Sequence, residues 1–219
     1  KQQAEASNDF AYGADIGWLT QMEAKGITWQ DDNGVTKDPL VILKEHGVDS
    51  IRLRVFVNPP SSAQWTKNDG TVCYLGYADE GSVIATAKRA NALGMRIMVD
   101  FHYSDHFADP EYQDIPAAWP GHNYSQLLTD VYDHTYQVMS GLKAAGITPE
   151  WVQVGNEINS GILLPYGNSG TNFGQLAGLL NSGYDAVKAV SSSTKVITHL
   201  ANGHNNDVLE WFFDNFLNT

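Results

Sequence analysis

The stretch Ser50–Pro59, "SIRLRVFVNP", decides the fold. Ile51, Leu53, Val55 and Val57 alternate with Arg52, Arg54 and Asn58, so the segment reads as a strand with one apolar and one polar face. A second stretch behaves alike: in "RIMVDFHYSD", Arg96–Asp105, Asp100 and His102 share a face. Strands of a doubly wound sheet are covered by helices on both sides and read as unbroken apolar runs. Polar side chains on the inward face instead suit a closed barrel with a site at its top.

Both stretches belong to a repeated unit. The segments "LKEHGVDSIRLRVFVNP", "AKRANALGMRIMVDFHYSD" and "GLKAAGITPEWVQVGNE" each pass from a helix-like stretch through a glycine, Gly47, Gly94 or Gly146, into a β-branched apolar run. Glycine supplies the left-handed residue that ends a helix, and the run after it reads as a strand. Two more strands fit the plan, "YGADIGW" (Tyr12–Trp18) and "KVITHLANG" (Lys195–Gly203). Helices are expected over Pro39–His46, with Asp38 as N-cap and Pro39 in the first helical position, and over Ser82–Leu93, Ser125–Ala145, Asn172–Val190 and Asp207–Leu217.

Strands alternating with helices imply a parallel sheet covered by helices. The turn after the first strand, in "YGADIGWLTQMEAKG", carries neither GxGxxG nor a P-loop, which removes the nucleotide-binding doubly wound fold. The expectation is an α/β protein, a (β/α)8 TIM barrel of which residues 1–219 form one portion, about the first five βα units.

Composition bounds the rest. The 219 residues, 42% hydrophobic, suffice for one core that buries roughly 70% of the unfolded surface. Twenty-five acidic residues against 13 basic ones give a formal charge of −12, so nucleic acid and anionic membranes are unsuited as partners. Cys73 is the one cysteine, read as a free buried thiol that forms no internal disulfide or thiolate cluster. No apolar stretch reaches the ~18 residues of a membrane span. The sequence opens at Lys1 without a basic-then-apolar leader, and any signal peptide is expected to have been removed or to lie outside the sequence.

The chemistry is expected at the carboxyl ends of the strands. Those ends offer Asp15 and Trp18, Arg54 and Asn58, His102, Tyr103 and Asp105, Asn156 and Glu157, and His199 and Asn202. His102 and His106 have a four-residue spacing but no HExxH, and they span a strand end and a loop, so no metal site is assigned. GxSxG is absent, and "NYS" at Asn123 is an acceptor pattern for glycosylation that arises often by chance.

Carbohydrate chemistry fits the set better. A glycosidase needs a carboxylic acid that stays protonated near neutrality beside the scissile oxygen, and Glu157, in "WVQVGNEINSGILLPYG", sits at a strand end within an aromatic and apolar loop. Asn156 can bond a sugar hydroxyl, and Arg54 can hold a carboxylate ionised. Trp18, Trp65, Tyr103, Phe107, Trp119 and Tyr166 are candidates to stack on pyranose faces. For any one of these residues, solvation of a strand end or ordinary packing explains it equally; the coincidence of five such ends favours a site.

The stretches "YGADIGWLTQMEAKGITWQD", "IRLRVFVNP", "GMRIMVDFHYSDHFADP" and "WVQVGNEINSGILLPYG" resemble, in that order, glycoside hydrolase family 53, the endo-β-1,4-galactanases. The resemblance implies a (β/α)8 barrel whose fourth strand ends in Asn-Glu, with Glu157 as general acid/base. It implies Arg54 as partner of the nucleophile with Arg52 one layer deeper, His102 and Asp105 as sugar contacts, Asn156 beside the acid, and Asp15 and Trp18 lining the cleft. Phe107 stands where the family leads one to expect tryptophan.

The family's nucleophile is a glutamate ending the seventh strand, and no position of this chain matches it. The resemblance therefore implies the N-terminal five-eighths of a retaining enzyme, inactive alone, monomeric, and secreted, periplasmic or cell-surface. Its substrate would be β-1,4-galactan, with no cofactor beyond a structural calcium in some members, held by later loops. Two alternatives stay open: a related barrel β-1,4-glycanase, and a non-catalytic carbohydrate-binding protein.

Overall fold

A computed structural model describes residues 10–219; the stretch from Lys1 that bears on a leader lies outside them. Five strands form one parallel sheet: β1 (Gly13–Asp15), β2 (Ser50–Val55), β3 (Arg96–Phe101), β4 (Trp151–Val154) and β5 (Lys195–Ile197). Their order across the sheet is their order in the chain, every neighbouring pair being parallel. A doubly wound sheet reverses its strand order at a switch point, and this one never does. Right-handed crossovers in one direction place every connecting helix on the same face, leaving the other face as a barrel interior.

Register shows which side chains meet on that interior. Arg54 pairs with Asp100, and Asp100 with Gln153; one layer deeper Asp15 pairs with Arg52, and Arg52 with Met98. The opposite face carries Ile51, Leu53, Val55, Ile97, Val99, Phe101, Val152 and Val154, all buried. Leu127, Val131, Val138 and Leu142 of α4 (Tyr124–Ala144) and Leu176, Leu179 and Val187 of α5 (Phe173–Val190) cover it. The alternation in Ser50–Pro59 thus separates a helix-packed face from a polar interior, as the sequence implied.

The remaining helices are α1 (Leu19–Ala24), α2 (Pro39–Glu45), α3 (Glu80–Ala92) and α6 (Asn206–Leu217). Asp38 caps α2 through the Leu40 amide, with Pro39 at the first position. Gly47, Gly94 and Gly146 have φ of 85°, 66° and 76°. After each, the next amide reaches back five residues, Val48 to Leu43, Met95 to Ala90 and Ile147 to Leu142, so all three helices end in one hydrogen-bonded motif. Asn123 serves as N-cap of α4 in a capping box with Gln126.

Several short elements escaped the sequence pattern. Helix α1 lacks a side-chain cap, and the hairpins Trp29–Gln30 with Thr36–Lys37 and Gln64–Thr66 with Val72–Tyr74 are too brief for periodicity to register. Cys73, expected buried, is half-buried in the second hairpin. The outer strands are shorter than expected. β1 stops because the Asp15 carboxylate accepts the Gly17 amide in a turn, and the chain after β5 leaves the sheet to bond the loop after β4. No helix of the described residues is long and apolar enough to cross a membrane.

His134 on α4 gives the core a pH dependence. Its ring packs edge-on against Phe101, Tyr103 and Trp119, its Nε2 has no hydrogen-bond partner, and burial pushes its pKa down to about 4. In the unfolded chain the imidazole gains its proton near pH 6.5, whereas the folded site refuses it. Stability is therefore full above pH 6.5 and falls as pH drops toward 4, by up to roughly 3 kcal/mol. Thermal unfolding of His134→Phe should lose less between pH 6.5 and 4.5 than that of the unmodified chain; an equal loss would place the dependence elsewhere.

Candidate active site

The sheet delivers its functional side chains at the carboxyl ends of successive strands. Asp15 ends β1, Arg54 lies near the end of β2, His102 follows β3, Asn156 and Glu157 follow β4, and His199 follows β5. With Trp18, Arg52 and Phe107 they line a cleft of about 410 Å³. An adjoining cavity of about 260 Å³, between β1 and helices α1 and α2, shares Asp15 and Trp18 with the cleft and is otherwise lined mainly by Leu19, Met22, Trp29 and Leu43, without Glu157 or the arginines.

The cleft floor is built around Asp100, which is fully buried. Its carboxylate pairs with Arg52 Nη2 at 2.6 Å, accepts the Gln153 amide at 2.6 Å and lies 2.9 Å from His102 Nε2. Arg52 also donates to Gln153 Oε1 and Asn156 Oδ1 through Nη2 and to Asp15 through Nη1. Each donor meets an acceptor, the condition under which charge can be buried.

This network fixes what each predicted residue can offer. The Ala108 amide donates to His102 Nδ1 at 2.9 Å, so the ring proton sits on Nε2 and points at Asp100. Both ring nitrogens are thereby spent, and His102 presents carbon atoms to the cleft rather than the hydrogen bond expected of a sugar contact. Asn156 receives Arg52 and Gln153 on Oδ1 and donates once through Nδ2, to the Ala108 carbonyl; one N–H is left for a ligand.

Asp15 accepts both Arg52 and Arg54. Burial alone would raise its carboxyl, but the Arg54 charge, the Gly17 amide and the two guanidinium bonds outweigh that and hold it below the ordinary carboxylate range. Arg54 stacks beneath the Trp18 ring, 4.1 Å from its centroid, and lies 5.0 Å from the Phe107 centroid. Its Nη1 is buried without a partner among the described residues. A side chain at Gly17 would collide with this guanidinium, which is why glycine follows the strand there.

Glu157 has φ 49° and ψ 50°, a left-handed conformation that a non-glycine residue adopts at a cost. Burial raises its pKa, and the negative charge of Asp109 adds to the rise, against opposing contributions from His102 and Arg52. The site therefore holds one carboxyl that keeps its proton to a higher pH than an exposed glutamate, beside a free amide N–H, over an arginine floor and between aromatic walls. That set can donate a proton to a neutral, ring-shaped ligand.

Four predicted contacts do not reach the cleft. Tyr103 points to the helix side, where it is buried and its hydroxyl bonds Thr135 at 2.8 Å, from a left-handed position (φ 50°) past the end of β3. Trp119 is buried against His134. Asp105 uses its carboxylate on the Asn58 and Ala117 amides, bracing its loop. Asn202 is exposed at a left-handed turn beyond β5. In the other direction, the reading missed Gln153 and Gln113. The Gln113 amide grips the Asn156 and Glu157 carbonyls at 2.9 and 3.4 Å. Only Gln153 left a signal, as the polar residue of the apolar run "WVQV" in register with Asp100.

Known proteins share the fold and much of the sequence of this chain. The family model for "Glycosyl hydrolase family 53" matches residues 11–219. The chain is 37% identical over 214 residues to the arabinogalactan endo-beta-1,4-galactanase of Cellvibrio japonicus, a match covering 93% of this chain and 52% of that protein. It superposes on the Ignisphaera aggregans GH53 catalytic domain with a TM-score of 0.86 and 38% identity, over 96% of this chain and 56% of the other. A structure from a study of two fungal beta-1,4-galactanases gives 0.83 and 34%, over 95% and 58%. The chain thus spans just over half the length of the relatives it matches, and its sheet is five consecutive units of a (β/α)8 barrel.

Proposed function

From a chain that belongs to glycosyl hydrolase family 53, we propose the acid-bearing portion of an endo-β-1,4-galactanase, with galactan of the arabinogalactan type as substrate and Glu157 as general acid/base. The observation that carries this reading is the Glu157 carboxyl, its pKa raised by burial, in a cleft otherwise lined by Asp15, Arg52, Arg54, Asn156, two histidines and the rings of Trp18 and Phe107.

In this reading Glu157 donates its proton to the glycosidic oxygen as the bond to the anomeric carbon breaks. A second carboxylate, roughly 5 to 5.5 Å away, attacks that carbon from the opposite face. The resulting glycosyl ester is hydrolysed by a water whose proton returns to Glu157, so configuration is retained. The second carboxylate belongs to barrel units beyond Thr219, and Arg54, with its unpaired Nη1, braces it. Trp18 and Phe107 stack on the sugar, and the free N–H of Asn156 binds a hydroxyl. No step draws on a cofactor. A polymeric substrate that cannot enter a cell implies a secreted, periplasmic or cell-surface protein.

Calorimetry with galacto-, manno-, xylo- and cello-oligosaccharides tests the substrate class. The chain should bind β-1,4-galacto-oligosaccharides in preference to the other three, and hydrolysis should appear only when the units beyond Thr219 are joined to it. Preference for another series would move the substrate within the fold. Turnover by residues 1–219 alone, free of longer species by mass spectrometry, would refute the placement of the second carboxylate.

A further inference from the structure

The strained backbone of Glu157 needs a cause that keeps it in place. The peptide carbonyls of Asn156 and Glu157 are held by Gln113, and the amide side is held by the segment after β5. The Glu157 N–H donates to His199 Nδ1 at 3.1 Å, and the Ile158 N–H to the His199 carbonyl at 3.0 Å. Asn159 and Ala201 exchange two further bonds, of 3.2 and 2.7 Å. Four hydrogen bonds thus bind the acid's loop to the end of the neighbouring strand. His199 contributes the one that ends on Glu157 itself.

We propose that His199 is a positioning residue for Glu157: protonated on Nε2 alone, it accepts the Glu157 amide on Nδ1, holds the left-handed backbone that aims the carboxyl into the cleft, and offers Nε2–H to a substrate hydroxyl. The assignment rests on Glu157 being the acid of glycoside hydrolysis. The accepting Nδ1 sets the tautomer, because a proton there would face the amide proton. Among the described residues Nε2 has no protein partner, and the ring lines the cleft.

The surroundings favour this state. Burial, then the positive charge of Arg52 on β2, lowers the His199 pKa; Asp100 opposes and His102 reinforces that effect, both from β3, while Glu157 at the end of β4 touches the ring through its amide. The imidazole accordingly keeps its neutral form to a lower pH than an exposed histidine would, and acidification that puts a proton on Nδ1 releases the clamp.

Nuclear magnetic resonance on the 219-residue chain tests the proposal. Long-range proton–nitrogen spectra at pH 7 should show the Nε2–H tautomer. His199→Phe, which keeps a ring without an acceptor, should speed Glu157 amide exchange about tenfold, the expected effect of one lost hydrogen bond, and should shift the carboxyl titration of Glu157. His199→Asn, whose Oδ1 can stand where Nδ1 stood, should restore both. An Nδ1–H tautomer in the unmodified chain overturns the proposal even if the variants fail to fold, and unchanged exchange and titration in His199→Phe overturn it as well. Galacto-oligosaccharide binding by the unmodified chain is read separately. Absent binding with the expected tautomer and exchange would sink the glycosidase reading and leave the clamp standing; binding with unchanged exchange would sink the clamp alone.

Discussion

On the proposed reading, replacing Glu157 by glutamine in a chain extended to the length of its relatives is expected to lower the hydrolysis rate of galactan by about 10² to 10⁴, the range of general acid–base catalysis. Oligosaccharide affinity should change only a few-fold. The amide keeps the shape of the side chain and cannot protonate a departing sugar oxygen. An aryl galactoside with a very acidic leaving group needs little protonation, so its first step should be much less impaired. Pre-steady-state release of the phenol, compared with steady-state turnover of galactan, measures the difference. Equal, small losses on both substrates would remove Glu157 from the acid role.

Asp100→Ala should destabilise the fold strongly while leaving the acid in place. It removes the fully buried common acceptor of Arg52, His102 and Gln153 and leaves Arg52 with Asp15 as its one remaining carboxylate partner among the described residues. Losing one partner of a buried ion pair costs about 3 to 5 kcal/mol, which for a domain of this size lowers Tm by roughly 6 to 20 °C. Asp114→Ala is the control, since its carboxylate meets His106 with 65% of the side chain exposed, and it should move Tm by little. Calorimetric unfolding of the two variants side by side decides the matter; comparable shifts would refute the buried hub.

Much of this was legible in the residues. The Ser50–Pro59 alternation gave the two faces of the sheet because burial imposes a period of two, and the three glycines marked helix ends because few other residues accept that backbone. Asn156 and Glu157 stood out as polar residues closing an apolar strand. Tyr103 misled through its aromatic character: it lies past the end of β3 at φ 50°, where the period of two no longer assigns a face. The Asp100 hub was not legible, because Arg52 and Gln153 are 101 residues apart in the chain and only register brings them together. Asp105 looked like a ligand contact, but local amides consume its carboxylate, and sequence does not say which polar groups are already satisfied.

The strand order has a consequence for how the molecule is made. Since β1 to β5 lie side by side in the order they are encoded, each strand leaving the ribosome finds its partner already emerged and none has to wait for a later one. The helix ends close over five residues, within reach of a freshly exposed segment. Assembly can therefore advance with translation, unit upon unit, against the preference of parallel pairing for slow, long-range search. A pause in synthesis between two units would leave a growing edge in register for the next strand rather than a collapsed chain that must be undone.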